Sequence, residues 1–510
     1  MNIFVEGGRK VSVLVLMEVS KKQSYIFKSN KLKENIGASM IIRYVTEDLP
    51  KTFIEEFQGK KILEGGGKSI YKFPTEDKGR KFVEKLSYEI LERYSELEMF
   101  FVTVPFENQK DNIVLKIDEA YKKLGRKKSK RLSCYYQMSF GMEKTCYSTG
   151  MPAVYLEQEE RYLFAGDRKE TLISEEIRGK LRANAEMQDN LGEFTADQRV
   201  IKDIDSIVDS GDKSYIAIIH IDGNKMGKKF DEIKEKYLKS NIIDLAKHNQ
   251  AYVEEMGNFS RAIDAVYKIA FKNMCERYKA EKGETRIRPI ILAGDDVCFI
   301  AEAKDSIWLC KVFLEELEKQ HVMGWKLYAC AGIAIVKAGY PFSRAYELAE
   351  ELCQNCKDTI VKQNLEDTNM IDWHIVQGEL KGNLHQIREG YKIDSNCTLT
   401  LRPLFAADNY KDRINHYDNF KEILNSISKG KNPIPRSKLK TLRSKYKEGI
   451  EATRIYMEVN GLEKEGQQSV TNKLDMAGSF KCEYGFYKLH DQYSATHYDA
   501  IEIVDLVETL

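Results

Sequence analysis

The chain has 510 residues, 31% of them charged, and a formal net charge of +1. That length exceeds one ordinary hydrophobic core and implies roughly two to four domains, while the near-zero charge means that nothing global draws the chain to nucleic acid; such a role needs local basic patches or a partner. No run of about eighteen apolar residues occurs and the opening MNIFVEGGRK lacks a signal-peptide pattern, so no membrane span and a cytoplasmic location are expected; the ten cysteines, several inside apolar runs (Cys298, Cys330), fit a reducing compartment rather than a disulfide framework.

In chain order, the β-branched run Val11 to Val19 predicts a buried strand, and the stretch from Lys21 to Val45 a helical region. Ile62 and Leu63, then Gly65-Gly66-Gly67, then KSIYKF predict two short strands around a glycine turn. A helix over Lys78 to Tyr94, a strand over Met99 to Val104 and an amphipathic helix over Asn108 to Lys123 follow. Strand, helix, hairpin, helix, strand is the order of a ferredoxin-like unit. The segment from Gly125 to Ser210 reads as insertion and linker, with the basic run Arg126 to Arg131, a strand candidate at Tyr162–Phe164 and a charged helix over Leu172 to Met187.

The same order then returns. Tyr215 to Ile221 predicts a strand; Asp222 to Gly227 (DGNKMG) a turn into a helix; Ala251 to Lys279 a long helix; and Arg288–Leu292 with Val297–Ile300 a hairpin around Gly294-Asp295-Asp296. A helix from Ser306 to Lys319, a strand from Tyr328 to Val336 and a helix from Phe342 to Lys357 complete the unit. An internal duplication is the economical explanation. The expected fold class is α+β: a degenerate first palm-like domain over 1–125, an intervening segment over 126–210, a second, catalytic palm over 211–370, and a C-terminal helical domain over 371–510.

Asp222 stands where a buried strand ends, and Asp295 and Asp296 stand on a hairpin turn that this topology lays beside that strand. Carboxylates converging on a rigid sheet edge make a hard-oxygen site suited to magnesium or manganese. Two such ions suit nucleotidyl transfer from a nucleoside triphosphate. An Asp-Gly at a strand end is by itself commonly a turn, and a lone Gly-Asp-Asp is weak too; the two together, each between apolar strands and in this order, carry the expectation. Gly223 and Gly227 allow close backbone approach, a helix starting near Lys225 would aim free N–H groups at a triphosphate, and Asn224, Lys225, Gly294 and Lys357 complete the nucleotide-binding set. Lys228 and Lys229 could add charge. His220 fits core packing or support of Asp222 about equally.

Other signals are discounted. Cys353 and Cys356 form a Cys-x-x-Cys inside a continuous helical pattern without a second pair, which predicts buried thiols rather than zinc; Cys134 and Cys146 lack close partners. Gly65–Lys68 lacks the P-loop arrangement and brings no paired aspartates, so the first half is expected to be non-catalytic. The basic stretch Pro435 to Lys447 is a solvated face or a contact for RNA or a protein partner.

IHIDGNKMGKKF (219–230), ILAGDDVCFIAEA (291–303) and ACAGIAIVKAGYPFSRAYELAEELCQNCK (329–357) together resemble the large polymerase-cyclase subunit of type III CRISPR effector complexes, and EVSKKQSYIFKSNKLKENIGAS (18–39) with GGGK (65–68) resembles that family's degenerate first palm. The resemblance implies that Asp222, Asp295 and Asp296, with Ile221 among the metal-binding positions, hold two magnesium or manganese ions. It implies ATP as substrate, cyclic oligoadenylate second messengers as product, and guide RNA and effector-complex proteins as partners in antiviral defence. Because its first strand begins at residue 11, the chain is expected to lack the N-terminal histidine-aspartate nuclease many relatives carry; it also departs from the family pattern in carrying Ala293 where a glycine is usual and in lacking complete cysteine pairs for zinc. Two other readings stay open: a standalone cyclic-oligonucleotide synthase, dimeric and with another base preference, and a catalytically silent scaffold of an RNA-binding complex.

Overall fold

The computed structural model of the chain describes residues 11–65, 67–130, 141–156, 171–187, 190–196, 201, 207, 215–239, 244–378, 382–429, 434–462 and 482–506. The strand candidate at Tyr162–Phe164, Cys134 and Arg131 lie outside these residues. Two palms dominate. The first runs β1 (Ser12–Val19), α1 (Lys22–Ile26), α2 (Leu32–Arg43), α3 (Leu49–Ile54), β2 (Lys60–Gly65), β3 (Lys68–Phe73), α4 (Glu76–Arg93), β4 (Met99–Phe106) and α5 (Ile113–Ser129). Its sheet has the order β2-β3-β1-β4, every neighbour antiparallel, which is the ferredoxin-like arrangement. The helix expected from Asn108 starts instead at Ile113, because the Asn112 side chain caps it by accepting from the Val114 N–H.

After the short strands β5 (Tyr155–Leu156) and β6 (Leu172–Ile173) and helix α6 (Glu175–Glu186), the second palm repeats the plan. It comprises β7 (Tyr215–Gly223), α7 (Met226–Lys239), α8 (Leu245–Lys282), β8 (Ile287–Ala293), β9 (Asp296–Glu302), α9 (Ser306–Glu318), the small hairpin β10 (His321–Val322) and β11 (Trp325–Lys326), β12 (Ala329–Lys337) and α10 (Phe342–Lys362). Its core order β12-β7-β9-β8 matches the first palm strand for strand, and β13 (Met370–Ile375) and β15 (Leu404–Phe405) extend it to six strands. The C-terminal part holds α11 (Leu384–Glu389), α12 (Tyr417–Lys429), α13 (Arg436–Glu448), α14 (Ile450–Asn460) and the short α15 (Tyr498–Ile503). It adds a small sheet of β14 (Cys397–Thr398), β18 (Gln492–Ala495), β17 (Phe486–Leu489) and β16 (Cys482–Glu483). Those strands are short and only partly apolar, so the sequence pattern did not signal them.

β1 and β7 read as continuous apolar runs because both faces of each are covered. Leu14 and Leu16 share one core with Ala217, Ile219 and Ile221, while Val13, Val15 and Met17 share the other with Ile216 and Ile218. Each core thus draws on both palms. Polar contacts fix the same seam: the buried Asn249 side chain on α8 accepts from the Ile113 N–H at 2.9 Å and donates to the Asp111 carbonyl at 2.8 Å. The Asn30 side chain accepts from the Phe342 N–H at the start of α10 at 3.0 Å. Phe27 stacks on Tyr346 of α10 with ring centroids 3.8 Å apart.

α10 lies directly on β12. The buried stripe Phe342, Ala345, Ala349, Leu352, Cys353 and Cys356 faces the sheet, and Gly332 allows the approach, since a Cβ there would stand 2.0 Å from the Ala349 carbonyl oxygen and 2.4 Å from the Cys353 nitrogen. Cys353 and Cys356 are buried thiols that donate to the carbonyls of Cys330 and Ala331. In the C-terminal part, buried Arg402 pairs with Asp499 and Glu502, both at 3.0 Å, and donates to the Trp373 carbonyl at 2.7 Å, which ties α15 to the palm sheet. Gly332→Ala should destabilise the chain by about 1–3 kcal/mol by forcing α10 off the sheet, read as a lower thermal midpoint; an unchanged midpoint would mean that α10 can shift without cost.

Candidate active site

The antiparallel register sets Asp222 of β7 opposite Asp296 of β9, with Cys330 of β12 on its other side. Asp295 occupies the turn between β8 and β9, beside Gly294 at φ +66°. Its Cβ lies 3.0 Å from where a side chain on Gly223 would begin. The first palm shows the same register with different chemistry. There Gly65 pairs with Lys68 as Ala293 pairs with Asp296, and Glu18 stands opposite Lys68 as Asp222 stands opposite Asp296. Glu18 is answered by Lys68 at 3.5 Å and by Lys128 at 2.7 Å. The first palm therefore closes on an opposite-charge pair, and the second on a like-charge pair, an arrangement that costs stability unless a cation answers it.

Two lysines answer it in this structure. The Lys357 ammonium, on α10, pairs with the Asp222 carboxylate and donates to the Gly223 carbonyl at 3.1 Å. Burial works to lower its pKa, but Asp222 outweighs burial and the net displacement is upward, so the ammonium stays charged. Lys22, on α1 of the first palm, stands 3.6 Å from Asp296. Asp295 has no salt-bridge partner among the described residues: burial first, and the Asp222 carboxylate next, push it from 3.8 up to about 6 against the weaker pull of Lys357. His220 lies against Asp296, with Nδ1 3.7 Å from Oδ1, and meets the Tyr346 ring edge-on.

The other expected nucleotide-binding residues are arranged less directly. Helix α7 begins at Met226, next to Lys225 as expected, and Lys225 itself takes up a left-handed turn conformation at φ +58° just before it. The Asn224 side chain donates to the Thr368 carbonyl at 2.9 Å, and the Lys225 ammonium leans on the Leu365 carbonyl at 3.2 Å. Lys229 donates to the Lys326 carbonyl at 3.1 Å. Gly223 is required by packing, since a Cβ there would sit 2.6 Å from the Tyr267 hydroxyl, whereas Gly227 faces open space. The Gly294 N–H donates to the Asp264 carboxylate of α8 at 3.1 Å. Thus Asp222, Asp295, Asp296, Gly223, Gly294 and Lys357 share one end of the sheet, while the side chains of Asn224 and Lys225 are tied to residues 365–368.

Sequence reasoning missed Lys22, Asp264 and Tyr267. Asp264 and Tyr267 are three apart on α8 and interrupt a face that is otherwise Ile263, Val266, Ala270 and Phe271; a polar break on an apolar stripe was the available signal. The predicted basic stretch Pro435 to Lys447 forms α13, which lines a cavity of about 350 Å³ with Tyr215 and Lys337, at the end of β7 opposite Asp222. Arg436 and Arg443 there pair with Asp505 and Glu502.

The donor set fits a magnesium or manganese ion of the kind completed by substrate. Among the described residues, no three His, Cys, Asp or Glu side chains are gathered into a metal cage. Magnesium is commonly held by one or two carboxylates plus substrate phosphates and water rather than by an all-protein cage. Asp222 and Asp295 repelling each other beside Asp296, all hard oxygen donors, match that requirement. The apolar side chain of Ile221 can ligate nothing, so only its main-chain carbonyl could take part.

A carboxyl whose pKa is raised on folding contributes stability at pH values below 3.8 that is lost as pH rises through about 6. Asp295→Asn removes that loss. The metal-free variant should be more stable than the parent at pH 7.5 by about 1–3 kcal/mol, with the gain shrinking below pH 6 and nearly gone by about pH 4; thermal melts across that range would check it, and a variant less stable at pH 7.5 would contradict the geometry.

Residues 215–365 match the family model of the Cas10/Cmr2 second palm domain. The fold is similar to solved structures of a Csm1-Csm4 cassette in complex with pppApApA (14% identity, TM-score 0.57), with one ATP (14%, 0.56) and with AMPPNP (12%, 0.55), each covering 98% of this chain and 70% of the other. At these identities the likeness is one of fold. No curated protein matches the chain. Among the described residues, no helix is long and apolar enough to cross a membrane.

Proposed function

From the premise of a Cas10-like chain, we propose that it is a metal-dependent nucleotidyltransferase that converts ATP into cyclic oligoadenylates as a subunit of a guide-RNA effector complex. The observation that carries this reading is the like-charge pair Asp222–Asp296, with Asp295 beside it, at the register where the first palm holds Glu18 against Lys68. The ATP and oligoadenylate in the Csm1-Csm4 structures belong to those proteins and supply the substrate class proposed here.

Asp222, Asp295, Asp296 and the Ile221 carbonyl would hold two magnesium or manganese ions. Such ions, when bound, neutralise triphosphate charge and acidify the attacking hydroxyl. The chain's own part is positioning. The rigid ladders on both sides of β7 hold the carboxylates at fixed spacing. Lys357 leaves Asp222 to pair with a phosphate oxygen, so the same ammonium that screens the empty carboxylate screens the bound triphosphate. Lys22 brings a residue of the first palm to Asp296, so the relative placement of the two palms bears on the geometry of the site.

The test is to incubate the full chain, purified with and without its co-purifying proteins and RNA, with each of the four ribonucleoside triphosphates and magnesium or manganese, and to resolve products by mass spectrometry. Cyclic adenylates formed with the RNA complex, and reduced at least about 100-fold by Asp222→Asn, Asp295→Asn or Asp296→Asn, are expected. The same products from the lone chain would make it a standalone synthase, and no product with no metal-dependent triphosphate binding would leave a scaffold. Lys357→Met should raise the KM for ATP by roughly 10–100-fold, the loss of one charge-assisted hydrogen bond; an unchanged KM would confine Lys357 to screening Asp222.

A further inference from the structure

Tyr267, on the central part of α8, is 1% exposed. Its hydroxyl is buried and has no hydrogen-bond partner among the described residues. The ring packs against Phe313, with centroids 6.1 Å apart. The hydroxyl lies 2.6 Å from the point where a Gly223 side chain would begin, and Asp295 Cβ lies 3.0 Å from the same point. One helical turn earlier, Asp264 accepts from the Gly294 N–H. α8 therefore reaches the Gly294–Asp296 turn at two places, making a hydrogen bond at one and leaving a polar atom without a partner at the other.

A buried tyrosine hydroxyl ordinarily finds a partner, and a phenylalanine would fill the same space without stranding a donor. The neighbouring face of the helix is apolar, so the hydroxyl needs an explanation that packing does not supply. A phenol carries its proton at neutral pH, so the Tyr267 hydroxyl can meet a carboxylate only as a donor.

Resting on the proposed metal-dependent site, we infer that Tyr267 is a positioning residue whose hydroxyl donates to the Asp295 carboxylate when that carboxylate turns to hold a metal ion with triphosphate. Groups that orient metal-binding side chains through hydrogen bonds commonly set affinity by 10–100-fold. Tyr267 does this from α8, and Gly223 keeps the path between the hydroxyl and the turn open.

The experiment compares the full-length parent, Tyr267→Phe and Asp295→Ala for manganese(II) affinity in the presence of a non-hydrolysable ATP analogue, followed by the electron paramagnetic resonance signal of the free ion, with thermal melts of each metal-free chain. Tyr267→Phe should weaken manganese binding by roughly 10–100-fold while melting at the parent temperature or above it, because it removes a stranded donor; Asp295→Ala should abolish the binding. If Asp295→Ala abolishes binding and Tyr267→Phe leaves it unchanged, the role of Tyr267 is overturned and the site stands. A Tyr267→Phe chain that melts lower with parental affinity makes the hydroxyl structural and overturns the inference as well. Binding that survives Asp295→Ala overturns the site reading, and this inference with it.

Discussion

Antiparallel pairing sets two carboxylates face to face across adjacent strands, and most of what surrounds the second palm's sheet edge answers that charge. In the first palm the same register holds Glu18 against Lys68, and Lys128 pairs with Glu18 as well, so no excess negative charge is left there. In the second, Asp222 opposite Asp296, with Asp295 one residue before it, is repulsive in the absence of cations. Lys357 arrives from α10, Lys22 arrives from the other palm, and Asp295, which neither lysine pairs with, is pushed towards its neutral form. The site holds charge in excess, which is the property a divalent ion with a triphosphate can use.

Such an edge has to be stiff to be useful. β7 is paired along both sides and buried on both faces, so Asp222 cannot relax away from Asp296 without breaking a ladder. α10 is seated on β12 through Gly332, which fixes where Lys357 begins. α8 grips the Gly294–Asp296 turn from beneath through Asp264. Burial first, and the Asp222 carboxylate next, raise the pKa of Asp295, a local loss of stability held at this sheet edge.

The two palms share their cores, and this places a residue of the first palm at the candidate site. α2 reaches β8, where Ser39 donates to the Ile290 carbonyl at 2.7 Å, Asn30 holds the start of α10, and Phe27 stacks on Tyr346. Lys22 follows from that docking. The first palm, which has Glu18 opposite Lys68 where the second has paired aspartates, thus contributes to the second palm's site through packing and one ammonium.

The repeated strand–helix–hairpin–helix–strand order, and with it the ferredoxin-like topology of both palms, was legible in the sequence because apolar periodicity and glycine turns are local signals. The convergence of Asp222 with Asp295 and Asp296 followed from topology alone, since β7 must lie beside the β8–β9 hairpin. The start of α7 beside Lys225 was legible too, but the commitments of the Asn224 and Lys225 side chains were not, because they depend on residues 365–368 brought back by α10. The small C-terminal sheet was missed because its strands are too short to set a period. Lys22, Asp264 and Tyr267 were decided only by the tertiary structure. Each lies far in sequence from the carboxylates or on a helix whose rotation is set by packing, and which side chain meets which is a property of docked faces rather than of any local run of residues.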